Sequence, residues 1–281
     1  MEGKKKAIEK IDTSAIEATQ SLILEILKKF QQICDEQNLR FYLIAGSLLG
    51  AVRHQGFIPW DDDIDVGMPR KDYEIFIKNA HKWLKPPYEL DCAEHNDKYI
   101  YFFAKVVDSN TTLLQRAYLS GVYIDVFPLD GAPCSKFRKR LHHIRFKAAK
   151  ELFYTCRRDP FRHGKTAGSY LNVLLQKIVS PKRAYKIYKS VLSAYDFEKS
   201  KCFTDHGKKI TNIIDKDVLG EAKSKMKFVD FETYAMQDND SYLRCYFGDY
   251  MQLPPVESRK PHHCSYRNLN LPFREYNKLS K

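Results

Sequence analysis

Apolar residues fall at helical spacing from Ser14 to about Gln37. Ile16, Leu22, Ile23, Ile26, Leu27, Phe30 and Ile33 recur on one side, and Ser14 is placed to cap the first turn. Phe41 to Ala45 reads as a short buried strand ending in Gly46-Ser47, and Leu48 to Val52 is long enough for one helical turn. Gly56 and Pro59 mark Gln55 to Trp60 as a loop. Asp63 to Val66 reads as a strand, and Pro69 opens a helix with Tyr73, Phe76, Ile77 and Trp83 on its buried side. Ile100 to Val107 and Gly121 to Phe127 have the look of further strands. From Lys136 to about Lys201 the pattern turns helical, with breaks at Pro160, Gly164 and Pro181. Beyond Tyr234 the pattern is mixed, with a loop at Leu253-Pro254-Pro255. These elements predict an α/β (α+β) chain, and 281 residues suffice for one large domain or a domain with a subdomain.

Charge changes this picture in one place. The net charge is +12, yet the stretch from Lys136 to Lys201 alone holds 18 Lys and Arg against 4 Asp and Glu. The rest of the chain is close to neutral. The longest apolar run, Leu22 to Leu27, is interrupted by Glu25 and falls far short of the roughly 20 residues of a membrane span. The basic first ten residues lead into Asp12, Thr13 and Ser14, so no signal peptide is expected. Seven cysteines stand at positions 34, 92, 134, 156, 202, 245 and 264, with no CxxC pair. That predicts neither a disulfide framework nor a thiolate zinc site, and a reduced, cytoplasmic chain.

The chemistry concentrates between Gly56 and Val66, in the run Gly-Phe-Ile-Pro-Trp-Asp-Asp-Asp-Ile-Asp-Val. Strand residues two apart face the same way, so Asp63 and Asp65 project together while Ile64 and Val66 turn to the core. Two adjacent carboxylates repel, and a cation between them relieves the repulsion. Oxygen ligands suit Mg²⁺, which binds through one or two carboxylates plus substrate phosphates. An acidic cluster alone is more often a solvated turn. Here two features accompany it. Gly46-Ser47, between a strand and a helical turn, offers backbone N–H groups as a phosphate cradle. Asp125, flanked by Tyr123, Ile124, Val126 and Phe127, is costly to bury without a partner. Strand-Gly-Ser, then Asp-x-Asp, then a third Asp on a later strand predicts a catalytic metal site at Asp63, Asp65 and Asp125.

These residues carry a resemblance. Gly46-Ser47-Leu48-Leu49-Gly50-Ala51-Val52-Arg53-His54 and Gly56 to Asp65 resemble the LicD family of phosphotransferases, related to the fukutin-related group. The likeness continues through Phe103 to Asp108, Gly121 to Asp130, and Tyr246 to Met251 with Pro254-Pro255 and His262-His263. It implies a nucleotidyltransferase-fold mixed sheet core with a basic helical insert. The expected divisions are a catalytic core over 1–135, the insert over 136–201, and a C-terminal part completing the core over 202–281. The implied activity is transfer of phosphocholine, or of ribitol phosphate or glycerol phosphate, from a CDP-activated donor such as CDP-choline. The acceptor would be a hydroxyl of a cell-surface glycan or teichoic-acid precursor, and Mg²⁺ or Mn²⁺ would be required.

Within that reading Asp63 and Asp65 are metal ligands, and Asp125 is a third ligand or the acceptor's general base. Asp61 shares their parity and can orient them, whereas Asp62 points away and is structural. Arg53 and Lys105 are candidate phosphate contacts. Trp60 can stack on a base or box a quaternary ammonium, or simply pack in the core. The likeness also brings in His262 and His263, without choosing between them. The basic segment can be a solvated face, a surface for a lipid-linked glycan acceptor or the anionic inner face of a membrane, or a nucleic-acid site. No nucleic-acid motif accompanies it, which disfavours the last. Two competing functions remain: nucleotidyl transfer from an NTP on the same fold, and a non-catalytic basic module binding RNA or anionic membrane.

Overall fold

The computed structural model describes residues 13–115, 118–161, 164–206, 213–220, 224–261 and 264–279. Helix α1 (Thr13–Glu36) buries Ile16, Ile23, Ile26, Leu27, Phe30 and Ile33, as its periodicity requires. Phe30 meets Phe41 and Phe76 edge-on, with ring centroids 5.0 and 5.2 Å apart. Then come β1 (Tyr42–Leu43), α2 (Ala45–His54), β2 (Asp65–Pro69), α3 (Arg70–Trp83) and β3 (Tyr88–Asp91). Two long strands follow, β4 (Ala104–Gln115) and β5 (Tyr118–Ala132).

The strands form a curled mixed sheet. Its order is β1-β2-β5-β4, with β2 parallel to β5 and the other two pairings antiparallel. The short β3 pairs with β4, and β10 (Tyr266–Asn268) pairs with the far end of β4. The curl arises at an irregularity between Asp108 and Leu113. Gly121 makes it possible: a Cβ there would lie 1.9 Å from the Asp108 carbonyl oxygen.

Several boundaries differ from expectation: β1 keeps only Tyr42–Leu43 of the strand expected over 41–45, and β5 runs well past the expected 121–127. Gly46 and Ser47 lie inside α2, not ahead of it, because Leu48, Leu49 and Ala51 give the whole ten-residue segment a buried face. The strand expected over 63–66 begins at Asp65, where pairing to β5 begins. The strand expected from Ile100 begins at Ala104, since Phe102 packs on Tyr188 instead of joining the sheet.

The basic segment forms three helices, α4 (Lys136–Arg157), α5 (Ala167–Ile178) and α6 (Pro181–Leu192). Pro160 and Gly164 fall between the first two, and Pro181 is the first residue of the third. Ser135, Thr166 and Ser180 cap them, each side-chain oxygen accepting a backbone N–H three residues on. The segment docks through a second apolar cluster, in which Tyr99 and Phe102 meet Phe146, Phe153, Tyr185 and Tyr188. The chain then returns to the sheet: β6 (Cys202–Thr204) pairs with the end of β5, and β7 (Ile214–Asp215) with β6. A hairpin of β8 (Ser224–Phe228) and β9 (Phe231–Ala235), then α7 (Asn239–Phe247), β10 and α8 (Phe273–Leu279) complete the order.

One expectation is corrected. Cys134 and Cys202 are joined in a disulfide, 68 residues apart in sequence. Strand pairing sets Ala132 against Cys202, which brings Cys134 within reach, and no cysteine spacing encodes that. Among the described residues no helix is long and apolar enough to cross a membrane.

Candidate active site

The site is a row of charged residues across four strands. Parallel pairing of β2 with β5 sets Asp65 beside Asp125. Antiparallel pairing of β5 with β4 sets Asp125 beside Lys105, and β3 adds Asp91 beside Lys105. Directly paired residues share a face of the sheet, so these side chains stand together. Asp63 arrives from the segment leading into β2. One oxygen each from Asp63, Asp65 and Asp125 lies within 4.8 Å of the others.

Electrostatics make this cluster unstable alone. Burial, and then the charges of Asp63, Asp125 and Asp61, push the Asp65 carboxyl well above its ordinary range, with Lys105 opposing them. Three carboxylates converging at one point could hold a hard divalent cation through an oxygen-only donor set. Lys105 is buried, and its ammonium is paired with Asp125. It sits 3.2 Å from the centroid of the Tyr123 ring and 4.9 Å from that of Tyr101. Its charge is thus committed to the carboxylate row.

The start of α2 borders the cluster. A Cβ on Gly46 would lie 3.2 Å from an Asp61 oxygen, so a larger residue there would crowd that carboxylate. Ser47 Oγ accepts the Asp65 backbone N–H at 2.7 Å, tying the helix to the strand that carries Asp65. Asp62 turns the other way and accepts from Arg267 at 2.6 Å. Arg53 donates to the Tyr250 carbonyl at 2.8 Å and to His54 Nε2 at 3.0 Å. Burial and the nearby charge of Arg259 lower its pKa. The Arg259 guanidinium lies 5.3 Å from the centroid of the half-buried Trp60, whose ring also meets His54 edge-on. Trp60 therefore stands in a cationic corner formed with Arg53 and Arg259. His262 and His263 lie outside the described residues.

Two contributors escape a sequence reading. Arg259 had no motif of its own. Tyr242, on α7, is fully buried, and its hydroxyl accepts the Ala45 backbone N–H at 3.1 Å from 197 residues away. Ala45 has φ of 46°, a left-handed conformation that an alanine adopts only under constraint. Tyr242 supplies part of that constraint where α2 begins. Tyr242→Phe leaves the Ala45 N–H without this acceptor, a loss of about 0.5–1.5 kcal/mol for a part-buried hydrogen bond. The expected result is a substrate KM raised by about tenfold with a smaller change in kcat. Unchanged steady-state constants would contradict the role.

Residues 38–167, a stretch containing the whole acidic cluster, match the LicD/FKTN/FKRP nucleotidyltransferase domain. The lipopolysaccharide cholinephosphotransferase LicD of Haemophilus influenzae is 28% identical over 254 residues, covering 87% of this chain and 94% of that protein. The human ribitol 5-phosphate transferase FKRP is 45% identical over 99 residues, covering 34% of this chain and 18% of that one.

Proposed function

The chain is a distant homologue of LicD with a LicD/FKTN/FKRP nucleotidyltransferase domain, and from that premise we propose that it transfers a phospho-alcohol from a CDP-activated donor to a glycan hydroxyl. Phosphocholine from CDP-choline is the first choice, because the relative matched over most of the chain is named for it. Ribitol phosphate and glycerol phosphate are the related alternatives. The observation that carries the reading is the convergence of Asp63, Asp65 and Asp125.

Those three residues would hold the Mg²⁺ or Mn²⁺ ion, which when bound neutralises charge on the pyrophosphate and on the departing CMP. The chain's own groups do the rest. Lys105 fixes the Asp125 carboxylate and offsets part of the negative row. Ser47 holds Asp65 in register, and Tyr242 shapes the start of α2, whose backbone N–H groups face phosphate. Arg53 and Arg259 supply positive charge for the diphosphate, and the Trp60 ring a surface for the base or the alcohol's head group. Residues 1–135 and 202–281 form the catalytic body in this reading, and 136–201 the basic helical insert.

Thermal melting with CDP-choline, CDP-ribitol, CDP-glycerol and CTP, each with and without Mg²⁺, tests the proposal. A ligand that binds only the folded chain raises its melting temperature, by about 2.7 kcal/mol of stability at a hundred times Kd. A metal-dependent rise with one CDP-alcohol is expected and identifies the donor. A rise with CTP alone would replace the reading with nucleotidyl transfer.

A further inference from the structure

Helix α4 has two apolar sides. Phe146, Ala149, Phe153 and Cys156 face the second core. Phe137, Leu141 and Ile144 recur four and three residues apart on the other side, 79%, 50% and 57% exposed. Helix α5 is more one-sided still. Its one buried residue is Ser169, while Leu171, Leu174 and Ile178 are 57%, 53% and 63% exposed. A water-facing helix does not ordinarily array large aliphatic residues along one side, and such stripes mark contact surfaces. Around the α4 stripe stand Lys136, Arg138, Arg140, Arg145 and Lys147, all exposed.

Three kinds of occupant meet this face differently. A second copy of the chain would bring together two segments that each carry 18 basic residues against 4 acidic ones, so like charges would face each other. RNA would meet the charge, but five of the six stripe side chains are aliphatic, and only Phe137 offers its bases a ring to stack on. An anionic bilayer answers both features, its acyl boundary taking the aliphatic side chains and its phosphates the flanking cations. We propose that α4 and α5 dock this protein peripherally on an anionic phospholipid surface through Phe137, Leu141, Ile144, Leu171, Leu174 and Ile178. Docking does not depend on the catalytic reading.

The test is sedimentation of the full chain with phosphatidylcholine vesicles, and with vesicles containing phosphatidylglycerol, at low and high salt. The variants are Leu141→Ser with Ile144→Ser, and Leu174→Ser with Ile178→Ser. Binding is expected to the anionic vesicles and to weaken at high salt, as screened charge requires. Each double variant should lose about tenfold or more in affinity, because exposed aliphatic side chains no longer enter the lipid. Melting temperatures should stay at the wild-type value, since these residues are outside both cores. Absence of binding to anionic vesicles would overturn the proposal. So would equal binding by the double variants, which would reduce the segment to a polycation. A wild-type dimer that the same substitutions disperse, without vesicle binding, would assign the face to self-association instead.

Discussion

Asp65→Asn is expected to lower turnover of the CDP-alcohol, followed as CMP release, by about a thousandfold or more, with the fold intact. The size follows from the ion it would help hold, whose charge stabilisation is worth several kcal/mol, each 1.36 kcal/mol being a factor of ten. The sign of the stability change separates this from general damage. Asp65 is crowded by Asp63, Asp125 and Asp61 as well as buried. Removing its charge relieves repulsion, so the metal-free variant should melt at or above the wild-type temperature. Added Mg²⁺ should raise the melting temperature of the wild type and not of the variant. Full activity in Asp65→Asn would remove the acidic cluster from the mechanism.

Asp130→Asn is expected to be the most destabilising polar substitution, at roughly 3–5 kcal/mol, or on the order of 10 °C in melting temperature. Asp130 is fully buried at the end of β5. It accepts two hydrogen bonds from Arg70, at 2.7 and 2.5 Å, and pairs with His206 at 2.8 Å. The substitution leaves the largely buried Arg70 side chain with only the exposed Glu74, 3.6 Å away, as counter-charge. Replacing both Arg70 and Asp130 by leucine should recover only part of the loss, because the buried His206 then lacks its carboxylate partner. The pair also sets an acid dependence. Burial alone would raise the Asp130 pKa, but Arg70 and His206 hold it down to about 2, against an ordinary 3.8. A carboxyl depressed in the folded state stabilises fully above its unfolded value, and loses that contribution as the pH falls through 3.8 towards 2. Acid unfolding curves of wild type and Asp130→Asn should therefore converge in that window. A constant gap across it would contradict the assignment.

Some of this architecture was legible in the chain and some was not, for a physical reason. Periodicity over 14–37 and the breaks at Pro160, Gly164 and Pro181 are local signals, and α1, α4, α5 and α6 follow them closely. The Asp-x-Asp spacing is local too. What sets Asp65 against Asp125 is the parallel register of two strands some 60 residues apart, which spacing does not encode. Lys105 reads in sequence as a candidate phosphate contact, yet antiparallel pairing places it on Asp125 and buries it. Tyr242 reaches Ala45, and Cys134 reaches Cys202, through tertiary contacts with no sequence mark. The strand expected at 100–107 lost its first half for a similar reason, as the aromatic residues there were drawn to the helical segment.

The most direct test of the central claim is Mn²⁺ binding, read by electron paramagnetic resonance, to wild type and to Asp65→Asn in the presence of CDP-choline. Bound Mn²⁺ is expected on the wild type and lost in the variant, because Asp63 and Asp125 alone no longer complete the site. Equal Mn²⁺ binding by the two proteins would show that the carboxylate row holds no catalytic ion.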